Sequence, residues 1–89
     1  MRATLLSRYF DHNATSPLRE SGRLALEGGL DESWSNPSSP HSAGVRCHAL
    51  LEAARERLAG LLGGPSERLS FNSGATEGNN AVMAFFYEK

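Results

Sequence analysis

Between residues 43 and 62 the apolar positions Cys47, Leu51, Ala54, Leu58 and Leu61 recur at spacings of four and three. That spacing follows one face of a 3.6-residue period and predicts a long amphipathic helix over 43–62. Glu52 and Arg55 lie off that face, three residues apart, and can pair for about 0.2–0.5 kcal/mol. Gly63, Gly64 and Pro65 then stop the helix. Further on, Arg68-Leu69-Ser70-Phe71-Asn72 alternates as a half-buried strand does. Ser73-Gly74 supplies a turn, and helical spacing resumes over 75–87 through Ala75, Val82, Met83 and Phe86. Upstream, Tyr9-Phe10-Asp11 is a short extended candidate. Ser16 as N-cap with Pro17 at the first helical position predicts another helix, carrying Leu18, Leu24, Leu26 and Leu30 and fraying at Gly28-Gly29. Residues 31–42 hold Trp34, two prolines and five serines and read as an irregular loop, long enough to be a functional one.

The chain therefore reads as helix-rich with one or two short strands. Composition agrees, for there is no Ile, and Val occurs only at Val45 and Val82, which argues against a large buried parallel sheet. Eighty-nine residues are enough for one small domain and exclude a multidomain enzyme. A net charge of −1 without a basic stripe disfavours nucleic acid as a partner. The longest apolar run, 81–87, is far below the ~20 residues that span a bilayer. The first eight residues are basic and acid-free but too short for a targeting signal. The single cysteine, Cys47, cannot form an internal disulfide and fits a reducing, cytoplasmic setting.

Three polar segments are candidates for chemistry. Ser73-Gly74-Ala75-Thr76-Glu77-Gly78-Asn79-Asn80 brings a strand through a small-residue turn to a helix N-terminus, an anion site in outline, without the P-loop or dinucleotide glycine pattern. The plainer alternative makes Ser73 only an N-cap. Asn36-Pro37-Ser38-Ser39-Pro40-His41-Ser42, running into Gly44, is either a fixed polar surface or a proline-rich loop with Ser42 capping the long helix. Asp11-His12-Asn13-Ala14-Thr15 is either a polar clamp or, more simply, a helix lead-in. Cys47, His48 and His41 do not assemble a metal-ligand set.

Together these segments resemble the N-terminal part of cysteine desulfurases, pyridoxal-phosphate enzymes of the class V aminotransferase group. Residues 9–15 look like the family's opening Y-(L/F)-D-(H/N)-(N/A)-A-T. Residues 36–44 look like N-P-S-S-x-H-S-x-G, and residues 73–80 like S-G-A-T-E-x-N-N. The loop form is similar to the nitrogen-fixation and housekeeping branch rather than the branch overlapping selenocysteine lyases. His48 departs from the family, which often has Arg there.

The resemblance implies the α/β fold of pyridoxal-phosphate-dependent transferases. Residues 1–64 would form the N-terminal arm and small-domain helices, and 65–89 an incomplete strand-turn-helix opening the large cofactor domain. It implies that Ala75 and Thr76 hold the phosphate of pyridoxal 5'-phosphate, and that 11–15 and 36–42 border the active-site entrance and dimer contact. No catalytic step is assigned to them. The family's reaction converts L-cysteine to L-alanine and passes sulfur, as an enzyme persulfide, to an acceptor protein in iron–sulfur cluster assembly; the full-length enzyme would be a homodimer.

Such chemistry needs an amine to hold the cofactor and a mobile nucleophilic cysteine. The sole lysine is Lys89, and Cys47 falls on the apolar face of a helix, so the chain alone is expected to be inactive. Its length corresponds to about the opening quarter of such an enzyme, as from a truncated gene or interrupted reading frame. The alternatives are a non-catalytic module that binds a desulfurase or sulfur-acceptor protein, and a small anion-binding domain unrelated to sulfur transfer. Val82, Met83, Phe85, Phe86 and Tyr87 lack a sheet to cover them, so self-association or poor solubility is expected.

Overall fold

The computed structural model describes residues 2–88, which form the helices α1 (Arg2–Ser7), α2 (Glu20–Glu32), α3 (Ser42–Leu62) and α4 (Ala75–Tyr87), with a 3-10 turn at Ser66–Arg68. The chain divides into two compact units, Met1–Ser35 and Asn36–Lys89.

In the first unit, the Tyr9–Asp11 segment read as an extended start belongs to no strand and leads into a turn at 12–14. The Asp11 carbonyl accepts from Ala14 N at 3.0 Å and from the Tyr9 hydroxyl at 2.8 Å, while the Tyr9 and His12 rings meet edge-on at 5.1 Å. The helix expected from Pro17 begins only at Glu20, with extended Arg19 as N-cap and no side-chain cap, so Ser16 does not cap it. Glu20 instead places a carboxylate in the first turn, where the helix dipole favours one. At the other end α2 runs through Gly28 and Gly29 to Glu32, rather than fraying there. Glycine costs a helix interior about 1 kcal/mol but does not forbid it, and Gly29 is used as an acceptor, its carbonyl taking Ser33 N at 2.8 Å.

The second unit is organised by α3, which realises the strongest sequence pattern. Gly63 ends it at φ 81°, a left-handed conformation that glycine adopts without a Cβ penalty. Gly64 N donates to Ala59 O at 3.0 Å and Gly63 N to Gly60 O at 3.2 Å, the paired bonds of a Schellman ending. Of the anticipated apolar face, Cys47 is buried at 7% exposure, whereas Leu51 and Leu58 are partly open and Leu61 is 85% exposed. Ala59 joins Cys47 as the only other buried apolar residue among those described.

The strand expected at 68–72 is absent, and no strand occurs among the described residues. Leu69 is extended (φ −106°, ψ 125°), but a strand exists only when a neighbouring backbone pairs with it. Here the Leu69 carbonyl is taken by a side chain, Arg55 Nη1, at 2.6 Å. The expected helix 75–87 forms over the same residues.

Candidate functional site

The backbone entering α4 is fixed by two local side-chain bridges. Asn72 Oδ1 accepts from Gly74 N at 3.0 Å, an Asx turn that aims the chain at the helix. Glu77 folds back, and its Oε2 accepts from Ser73 N at 2.8 Å and from the Ser73 hydroxyl. Gly74, not Ser73, is the N-cap, and its carbonyl takes Gly78 N at 3.1 Å to close the first turn. The arrangement is a capping box displaced by one residue, with the carboxylate reaching the position before the cap. The Ser73 hydroxyl, and after it the Ser73 N–H, hold the Glu77 carboxyl below the usual glutamate range.

With Ser73 and Gly74 N–H engaged, Ala75, Thr76 and Glu77 occupy the first three helical positions, whose N–H groups have no intrahelical acceptor. The two residues expected to hold phosphate are thus at the first and second positions of α4. Two N–H donors, the Thr76 hydroxyl and the positive end of a 13-residue helix form a donor set suited to a phosphate monoester. That set fits the phosphate of pyridoxal phosphate. The sole lysine, Lys89, the one candidate in this sequence for the amine that would anchor the rest of the cofactor, lies outside the described residues.

The serine-proline loop is built for shape. Asn36 Oδ1 accepts from Ser38 N at 2.9 Å and Asn36 O from Ser39 N at 3.1 Å. His41 is the N-cap of α3, its Nδ1 accepting from Gly44 N at 3.2 Å, so the cap is the imidazole rather than the expected Ser42, which is the first helical residue. Gly44 is buried where a Cβ would press on the Ser39 carbonyl and lie 2.7 Å from Asn36 O. The 11–15 segment belongs to the other unit and forms the Asp11 turn.

Cys47 is a buried thiol within α3, unsuited to attack a substrate. Among the described residues no group of three or more His, Cys, Asp or Glu side chains is placed to hold a metal ion, and no helix is long and apolar enough to cross a membrane.

Two contributors escaped the sequence reading. The Glu77 bridge has a signal, an acid four residues after a serine at a helix start, but the usual box spacing is three. Arg55 does pair with Glu52, at 3.3 Å, yet it also bonds Leu69 O and covers the Phe71 ring at 5.1 Å from its centroid. Partners fourteen and sixteen residues away leave no periodic trace.

Sequence comparison places these features in a family. The family model described as aminotransferase class-V matches residues 8–88, and the chain belongs to that family. Membership implies a pyridoxal-phosphate-dependent fold. Over 75 residues, 84% of this chain, it is 45% identical to a selenocysteine lyase of Homo sapiens, covering 17% of that protein. Over the same length it is 42% identical to the cysteine desulfurase IscS of Dictyoglomus turgidum (19% of that protein), and 40% identical to a NifS/IcsS protein homolog of Lactobacillus delbrueckii subsp. bulgaricus (20% of that protein). The chain thus spans a fifth or less of the length of these relatives. Because both names occur among them, the N-P-S-S-x-H loop does not set this chain apart from proteins named selenocysteine lyase. No solved structure gives a significant match.

Proposed function

We propose that the chain is the N-terminal portion of a pyridoxal-phosphate-dependent enzyme that cleaves a carbon–sulfur or carbon–selenium bond, with L-cysteine desulfuration as the leading activity. The observation that carries this reading is the start of α4, where Ala75 and Thr76 present free donors in a chain that matches the class V family over residues 8–88. In this reading Ala75 N–H, Thr76 N–H and the Thr76 hydroxyl hold the cofactor phosphate, and Asn72 and Glu77 fix the backbone that presents them. The cofactor, when bound, supplies an electron sink for chemistry at the substrate α-carbon. Residues 1–64 supply the arm and small-domain helices, and 65–89 open the large domain. In the whole enzyme the sulfur passes to an acceptor protein for iron–sulfur assembly, in a cytoplasmic homodimer.

The cradle alone binds weakly. Micromolar affinity needs about 8 kcal/mol; a helix N-terminus offers ~0.3–2 and each charge-assisted hydrogen bond about 1.5–3, against an association cost of at least ~4. Titration of the chain with inorganic phosphate should move the Ala75 and Thr76 amide resonances at millimolar concentration, and Thr76→Val should reduce the movement. Shifts spread evenly over the chain, or none at these two amides, refute the cradle. For the activity, downstream coding sequence that continues into a histidine-lysine cofactor motif supports the desulfurase reading. A stop codon beside an intact desulfurase gene favours an interaction module instead.

A further inference from the structure

Arg55 ties α3 to the chain that enters α4. Its Nη1 donates to Leu69 O at 2.6 Å, its Nε to Glu52 Oε1 at 3.3 Å, and its guanidinium lies over the Phe71 ring. Three different surfaces of one planar group are therefore used at once. Its side chain is one-fifth exposed, while its partner Glu52 is twice as open, so the carbonyl and the ring, rather than the ion pair, define where the guanidinium sits. Leu69 and Phe71 precede Asn72, which forms the Asx turn, and Ser73, which Glu77 clasps. Among the described residues no strand pairs with 69–72, and a guanidinium bound to one carbonyl and stacked on one ring holds this backbone.

We propose that Arg55 is a positioning residue for the α4 cradle: by holding Leu69 and Phe71 against α3 it fixes the approach of residues 70–74 and so the direction in which Ala75 and Thr76 N–H point. The consequence for phosphate rests on the functional reading above; the ordering of residues 70–74 does not. The substitution that isolates the effect is Arg55→Met, which keeps the aliphatic stem but removes the fork. Arg55→Lys keeps the charge and a single donor nitrogen without the planar fork, and Glu52→Gln removes only the ion pair.

Amide hydrogen exchange on the full chain reads the result. Arg55→Met should accelerate exchange at Ser73 and Gly74, whose amides Glu77 and Asn72 hold, by about tenfold or more, with the middle of α3 unchanged. Arg55→Lys should recover part of the protection, and Glu52→Gln should leave it near the parent value. Unchanged exchange at Ser73 and Gly74 in Arg55→Met overturns the proposal, as does equal loss of protection across α3 and these two amides, which would make Arg55 a general stabiliser. A parallel titration with inorganic phosphate should show smaller Ala75 and Thr76 shifts in Arg55→Met. If the parent chain shows no phosphate shift, the cradle reading fails while the exchange result still decides the role of Arg55.

Discussion

The imidazole of His41 caps the longest helix by accepting, at Nδ1, the backbone N–H of Gly44 at 3.2 Å. A side-chain acceptor at this position commonly contributes about 1 kcal/mol, within a range of about 0.5–2. His41→Ala should lower helicity at the start of α3 and destabilise the chain by about that amount, while His41→Asn, whose amide oxygen can replace Nδ1, should retain most of it. Circular dichroism with urea titration, and the Gly44 amide resonance, check this.

Gly44 sits where the same loop closes against α3. A Cβ there would press on the Ser39 carbonyl and stand 2.8 Å from Ser39 Cβ, and neither neighbour is the movable end of a long side chain. Gly44→Ala should displace the 36–41 loop and cost about 1–3 kcal/mol, the usual range for overpacking. Altered Ser38 and Ser39 amide shifts, larger than those in α4, are the expected signature.

Glu77 sets a pH dependence. Its hydrogen bonds from Ser73 hold the carboxyl below the ordinary glutamate range in the folded chain. The contact therefore contributes fully above the pH where an unfolded glutamate titrates and is lost as pH falls through the lowered folded value. A carboxyl carbon titration should place the Glu77 midpoint below the ordinary glutamate range, and Glu77→Gln should speed exchange of the Ser73 amide. A midpoint within the ordinary glutamate range contradicts the geometry.

The sole lysine, Lys89, stands at the far end from the α4 N-terminus in sequence, one residue beyond the last one described. Incubation of the chain with pyridoxal phosphate followed by borohydride should give no saturable adduct. Peptide mapping of a stoichiometric, saturable label would show the opposite.

Association should be concentration-dependent. Val82, Met83, Phe85, Phe86 and Tyr87 are all more than half exposed on or near the end of α4. Size-exclusion chromatography with light scattering should show self-association that weakens when Phe86 is replaced by Ser. A sharp monomer at all concentrations contradicts it.

Helix α3 was legible because its period of four and three and its Gly63-Gly64 stop are local features, and α4 was legible for the same reason. Locally, too, the S-G-A-T-E segment reads as a turn into a helix N-terminus, and α4 begins there at Ala75. What was misread depended on neighbours. Alternation at 68–72 describes a strand only if a second backbone lies alongside; Arg55 does instead. Ser16 and Ser42 are good capping residues by type. Yet α2 starts three residues after Pro17, and His41 reaches Gly44 first.

The family, the long helix and the residues that open α4 can be read along the chain, because they rest on residue order and on 3.6-residue periodicity. How the segment entering α4 is held is a matter of contacts in space. The Arg55 contacts to Leu69 and Phe71 span fourteen and sixteen residues, and the clasp of Glu77 on Ser73 depends on the direction the chain takes into the helix. A hydrogen bond is set by distance and angle in space, and neither is written in the spacing of residues along the chain.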